Sequence, residues 1–73
     1  MDRQEKPQKD DIVDALRESI KNLERRIGKT IPVNDIIEEL GGRFSITAIE
    51  RAIEILKRQG DIFEPRTGFI KRI

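Results

Sequence analysis

The chain has 73 residues, 36% hydrophobic and 40% charged, enough for one small domain with a modest core and a largely solvated surface. It has neither histidine nor cysteine. The usual general base, the best nucleophile, disulfides and the common zinc ligands are therefore missing, which argues against enzyme activity, a cofactor, a metal centre or a small-molecule substrate. No apolar run approaches the ~20 residues of a membrane span. The opening Met1-Asp2-Arg3-Gln4-Glu5-Lys6 lacks the apolar stretch of a secretory signal, so the expectation is a cytoplasmic protein with no membrane partner.

Residues 1–9 contain Pro7, mixed charges and no periodic apolar positions, and are expected to form a flexible tail or linker. A first helix is expected from Asp10-Asp11, acids suited to the positive end of the helix dipole, to a stop at Gly28. Its apolar residues, Ile12, Val13, Leu16, Ile20, Leu23 and Ile27, fall on one side at helical spacing. Lys29-Thr30-Ile31-Pro32 is too short for a free-standing strand, but it can add one or two backbone pairs to the hairpin as a small third strand before Pro32 blocks further pairing and favours a helix start. A second helix, about Val33 to Leu40, presents Ile36, Ile37 and Leu40 on one face, and Gly41-Gly42 ends it.

Ser45 is a natural N-cap for a third helix that reaches Arg58 and stops at Gly60. Ile46, Ile49, Ala52, Ile53 and Leu56 define its expected buried face. Thr47, Arg51, Glu54 and Arg58 define the opposite one, with Glu50 and Ile55 on the flanks. A short helix, a glycine turn and a longer helix make a helix–turn–helix pattern. The chain closes as a hairpin, Asp61 to Glu64 and Phe69 to Ile73, with Pro65 and Gly68 supplying the turn and Phe63 and Phe69 pairing across it to anchor it on the helices. The fold class read from this order is α+β: a winged helix-turn-helix of three helices and a two- or three-stranded β wing, over residues 10–73.

The net charge of +1 divides unevenly. Residues 1–56 carry ten Lys/Arg against twelve Asp/Glu, whereas residues 57–73 carry five against two. Two surfaces follow. On the third helix, Arg51 and Arg58 are candidates for guanine edges or phosphates, and Thr47 for a phosphate or a thymine methyl. Glu50 and Glu54 speak for a merely solvated face, with Glu54 placed to pair with Arg58. On the wing, Arg66 at the tip and Lys71 and Arg72 on the returning strand are the favoured contact, directed to phosphates and therefore salt-dependent. The competing reading there is a hairpin that closes the core behind charged edges. Ile55 and Phe44 are candidates for a protein contact. Glu38-Glu39 and Lys21 read as solvated surface, and Arg17, Arg25 and Arg26 as an optional extension of a basic one.

Ile31-Pro32-Val33, Ile36-Ile37-Glu38-Glu39 and the stretch Ile53-Glu54-Ile55-Leu56-Lys57-Arg58-Gln59-Gly60 resemble parts of the C-terminal winged-helix domain of archaeal minichromosome maintenance (MCM) replicative helicases. The most specific match is Gly60-Asp61-Ile62-Phe63-Glu64-Pro65-Arg66-Thr67-Gly68-Phe69-Ile70-Lys71, similar to the family's closing hairpin with its Glu-Pro step. The resemblance covers residues 10–73. It implies a non-catalytic, chromosome-associated appendage behind an ATPase motor, one that regulates the helicase and takes part in contacts with DNA or with helicase or initiator subunits. The chain holds no Gly-x-x-x-x-Gly-Lys-Ser/Thr run of its own. Two forms fit the resemblance: a domain excised from a helicase, or a stand-alone chromosomal, plasmid or viral protein. The expected function is modest, largely backbone-directed DNA binding, regulation of a replicative helicase, or both. The alternatives are a protein-docking module with negligible DNA affinity and a stand-alone transcriptional regulator.

Overall fold

Apolar side chains recurring every three or four residues need a surface to lie on, and in this molecule three helices and a small sheet supply it for one another. The computed structural model describes residues 8–73. In chain order they form α1 (Gln8–Ile27), β1 (Ile31–Pro32), α2 (Val33–Leu40), α3 (Ile46–Gln59), β2 (Ile62–Arg66) and β3 (Phe69–Arg72). The arrangement is a small α+β one, with an antiparallel sheet in the order β1-β3-β2. No helix among the described residues is long and apolar enough to cross a membrane.

α1 starts before the expected Asp10-Asp11, so Gln8 and Lys9, read as tail, are helical. The rest of the expected tail lies outside the described residues. Ile12, Leu16, Ile20 and Leu23 enter the core, with Val13 packed at its edge. Ile27 does not; at 48% exposure it belongs to a last turn that runs past the core. Both α2 and α3 pack on α1. In α3 the buried set is Ile49, Ala52, Ile53 and Leu56, whereas Ile46, also expected inside, is 55% exposed at the helix's first position. The apolar stripe of α3 therefore meets the core from Ile49 onward, and the helix's first residue lies beyond the core's edge. Ile37 is half-buried on the flank of α2 rather than inside it.

The helix ends follow local chemistry. The Ser45 hydroxyl oxygen accepts the Ala48 N–H at 3.1 Å, satisfying a donor that the first turn of α3 leaves unpaired. At the other end Gly60 adopts a left-handed φ of 81°. Its N–H reaches the Lys57 carbonyl at 3.1 Å, and the Asp61 N–H reaches that of Leu56 at 3.0 Å. A side chain at Gly60 would oppose that backbone conformation.

The short β1 is a third strand: Ile31 stands opposite Ile70, and Pro32 opposite Phe69. Ile31, Ile62 and Ile70 point inward, and each is essentially buried. The hairpin differs from its expected form. β2 continues through Pro65 to Arg66, and the turn is Thr67-Gly68 alone. The register places Phe63 opposite Lys71 and Arg66 opposite Phe69, so the two phenylalanines do not pair. Glu64 and Pro65 together face the single residue Ile70, a bulge at a residue with no N–H to offer the ladder. Phe63 is 42% exposed and anchors nothing in the core. Phe44, just ahead of α3, is the phenylalanine that packs against it.

Candidate functional site

Side chains four or seven residues apart on a helix share one stripe, and Thr47, Arg51 and Arg58 are so spaced on the exposed side of α3. The structure gathers these three into one open groove, together with Phe44, Ile55 and Arg43. Arg43 stands in the turn between α2 and α3, where the sequence offers no periodicity to single it out. Its guanidinium lies over the Phe44 ring, 5.1 Å from the ring centre. Phe44 and Ile55 are both half-buried and form the apolar floor beneath the arginines.

Glu54 also borders this groove, but its charge is engaged. The expected Glu54–Arg58 pair is replaced by a contact from Lys57, whose Nζ donates to Glu54 Oε2 at 3.1 Å. The same ammonium donates to Glu64 Oε1 on β2 at 2.9 Å, tying helix to hairpin. Glu50 lines an adjoining depression between α3 and the sheet, beside Lys57 and Glu64, which Thr47, Arg51 and Glu54 also border. Among the described residues the acid bordering the groove itself is Glu54, already in a salt bridge, while Arg51 also borders the depression that holds Glu50.

Arg66, Lys71 and Arg72 line none of this groove. The Arg72 Nε donates to Glu24 Oε2 on α1 at 2.9 Å. Arg66 lies over the Phe69 ring, 4.8 Å from its centre, and Lys71 is half-buried on the outer side of β3. The other cations considered from sequence are also engaged. Arg17 donates to Asp61 Oδ2 at 2.8 Å and to Gln59 Oε1 at 3.1 Å. Arg25 donates to Asn22 Oδ1 at 3.3 Å, and Arg26 lies 3.9 Å from Glu39. Glu39 is not plain solvated surface, because the buried Ser19 hydroxyl donates to it at 2.6 Å. Among the described residues no cluster of His, Cys, Asp or Glu is arranged to hold a metal ion.

Glu64 brackets the hairpin. Besides the Lys57 ammonium, it accepts the Gly68 N–H at 2.9 Å, while the Gly68 carbonyl accepts the Val33 N–H at 2.9 Å. The Lys57 hydrogen bond first, and then the Gly68 N–H, hold the Glu64 carboxyl below the usual glutamate range. Hydrogen bonds from Lys57 to Glu64 and then to Glu54 raise the lysine above its ordinary value. A depressed carboxylate contributes stability above its unfolded pKa and loses it as pH falls through the folded value. A raised lysine contributes fully below its unfolded pKa and loses stability as pH rises through the folded value. The bracket is thus intact at neutral pH, and its contribution is lost on acidification as pH falls below the ordinary glutamate range and through the lowered value of Glu64. Glu64→Gln is expected to flatten the acid limb of the melting temperature, measured by circular dichroism, relative to the unaltered chain. Parallel acid limbs in the two proteins would rule this bracket out as their origin.

Comparison of the sequence with protein-family models and with curated proteins returns no match.

Proposed function

We propose that this chain is a winged-helix module that binds duplex DNA through the exposed face of α3, with the β2–β3 hairpin as its wing. One observation carries the reading: Arg43, Thr47, Arg51 and Arg58 converge in a single groove whose bordering carboxylate, Glu54, is held by Lys57. Guanidinium groups and a threonine hydroxyl along one helix stripe are donors suited to phosphate oxygens, which position a protein on DNA without reading much sequence. The contact centres on α3 rather than on the wing, because Arg66, Lys71 and Arg72 line none of this groove and Arg72 is paired with Glu24. A role beside a replicative helicase is proposed on the likeness of Gly60 to Lys71 to the MCM closing hairpin.

Binding of this kind releases counterions, so the logarithm of the association constant is expected to fall linearly with the logarithm of salt concentration. Titration of a labelled duplex at several salt concentrations measures that slope. No affinity at low ionic strength would end the proposal. It would favour the second reading, a protein-docking module, for which Phe44 and Ile55 in the same groove supply the apolar contact.

A further inference from the structure

The bulge in β2 has a chemical result on the side of the sheet turned away from the helices. Without an extra residue, Arg66 would sit on the opposite face from Phe63, because side chains alternate along a strand. Two residues facing Ile70 restore the phase. Phe63 stands opposite Lys71, Arg66 opposite Phe69, and Lys71 and Phe69 share a face of the central strand β3. Aromatic and cationic side chains therefore alternate on the outer face, with Pro32 beside Phe69 at its edge. The Arg66 guanidinium is stacked on Phe69 at 4.8 Å. The neighbouring carboxylates are engaged elsewhere, Glu64 by Lys57 and the Gly68 N–H, and Asp61 by Arg17. Among the described residues, Arg66 and Lys71 make no salt bridge.

We propose that this outer sheet face is a second site, separate from the α3 groove, that takes single-stranded nucleic acid. A base stacks on the exposed Phe63 ring and its neighbour on the Arg66 guanidinium backed by Phe69, while Lys71, opposite Phe63 on the next strand, meets the backbone phosphate. Planar platforms alternating with positive charge suit a strand whose bases are unpaired. They do not suit duplex DNA, whose bases have no free face.

The chain contains no Trp or Tyr, so the test reads the anisotropy of fluorescein-labelled oligothymidine with the intact chain. Phe63→Ala and Phe63→Leu are each expected to weaken binding roughly tenfold, the effect of losing one stacked base, with melting temperature and duplex affinity unchanged. Lys71→Ala is expected to weaken it less and to lower its salt dependence. Changing Arg43, Arg51 and Arg58 to Ala is expected to leave oligothymidine binding intact, so loss of the α3 reading would leave this site standing. The proposal is overturned if both Phe63 variants bind oligothymidine like the unaltered chain, or if the α3 variant loses it. It is equally overturned if polyglutamate displaces the strand as well as unlabelled oligothymidine does, which would show charge without stacking. Sedimentation as a dimer that Phe63→Ala dissociates would assign the face to a second copy instead.

Discussion

Leu56→Ala is expected to cost about 3 kcal/mol of folding stability, and Ile46→Ala, on the same helix, less than about 0.5 kcal/mol. Both residues belong to the apolar set that helical spacing assigns to the buried side of α3. Leu56 is 0% exposed, whereas Ile46 is 55% exposed. Leu56 lies where α3 meets α1 and the start of β2, beside Ile20 and Ile62. Its removal leaves a cavity that three close-packed elements cannot collapse to fill. At Ile46 the side chain gives up little contact, and alanine is the better helix former. The contrast matters for a chain this short. At roughly 0.05–0.15 kcal/mol per residue, total stability is several kcal/mol, so Leu56→Ala alone removes a large part of it. Urea denaturation measures both values. Equal losses at the two positions would mean that α3 is rotated differently from the structure described.

That pair of residues also marks how far the fold can be read from the chain. Features governed by neighbours in sequence were legible: the Ser45 cap, the Gly60 stop, the apolar stripe of α1 from Ile12 to Leu23, and even a short third strand ending at Pro32, although Lys29 and Thr30 do not join it. Features decided by tertiary packing were not. Whether Ile46 is covered depends on how far α1 and α2 extend over the start of α3. Phe63 and Phe69 were expected to pair because they lie on either side of the turn that Pro65 and Gly68 were expected to supply. The chain instead forms a two-residue turn and takes up the excess as a bulge at Glu64-Pro65, which moves Phe63 opposite Lys71. Glu54 had Arg58 at ideal spacing and took Lys57, because that lysine sits between Glu54 and the hairpin's Glu64 and satisfies both. The groove shows the same division. Thr47, Arg51 and Arg58 follow from helical spacing alone, but Arg43 joins them only because the turn after α2 folds back toward the exposed side of α3. The Arg72 pairing with Glu24 depends likewise on where packing sets β3 against α1.

If the groove is the duplex-binding surface, changing Arg43, Arg51 and Arg58 together to alanine is expected to abolish most of the affinity at low salt. Each phosphate contact contributes about 0.9 to the slope of log affinity against log salt, so losing three lowers the slope by about 2–3. That difference corresponds to roughly a thousandfold weaker binding near 50 mM salt, narrowing as salt approaches 1 M. All three positions are solvent-exposed, so the melting temperature is expected to change little. Arg72→Ala supplies the contrast. Its charge is compensated by Glu24 at 2.9 Å, so the loss is expected to stay under about tenfold and the slope nearly unchanged. The pattern across DNA sequences then separates two kinds of contact. A uniform loss over unrelated duplexes means that the arginines hold phosphates, whereas a loss confined to particular guanines means that Arg51 or Arg58 reads base edges. Equal losses for Arg72→Ala and the groove variant would move the interface from the α3 groove to the sheet end beside α1.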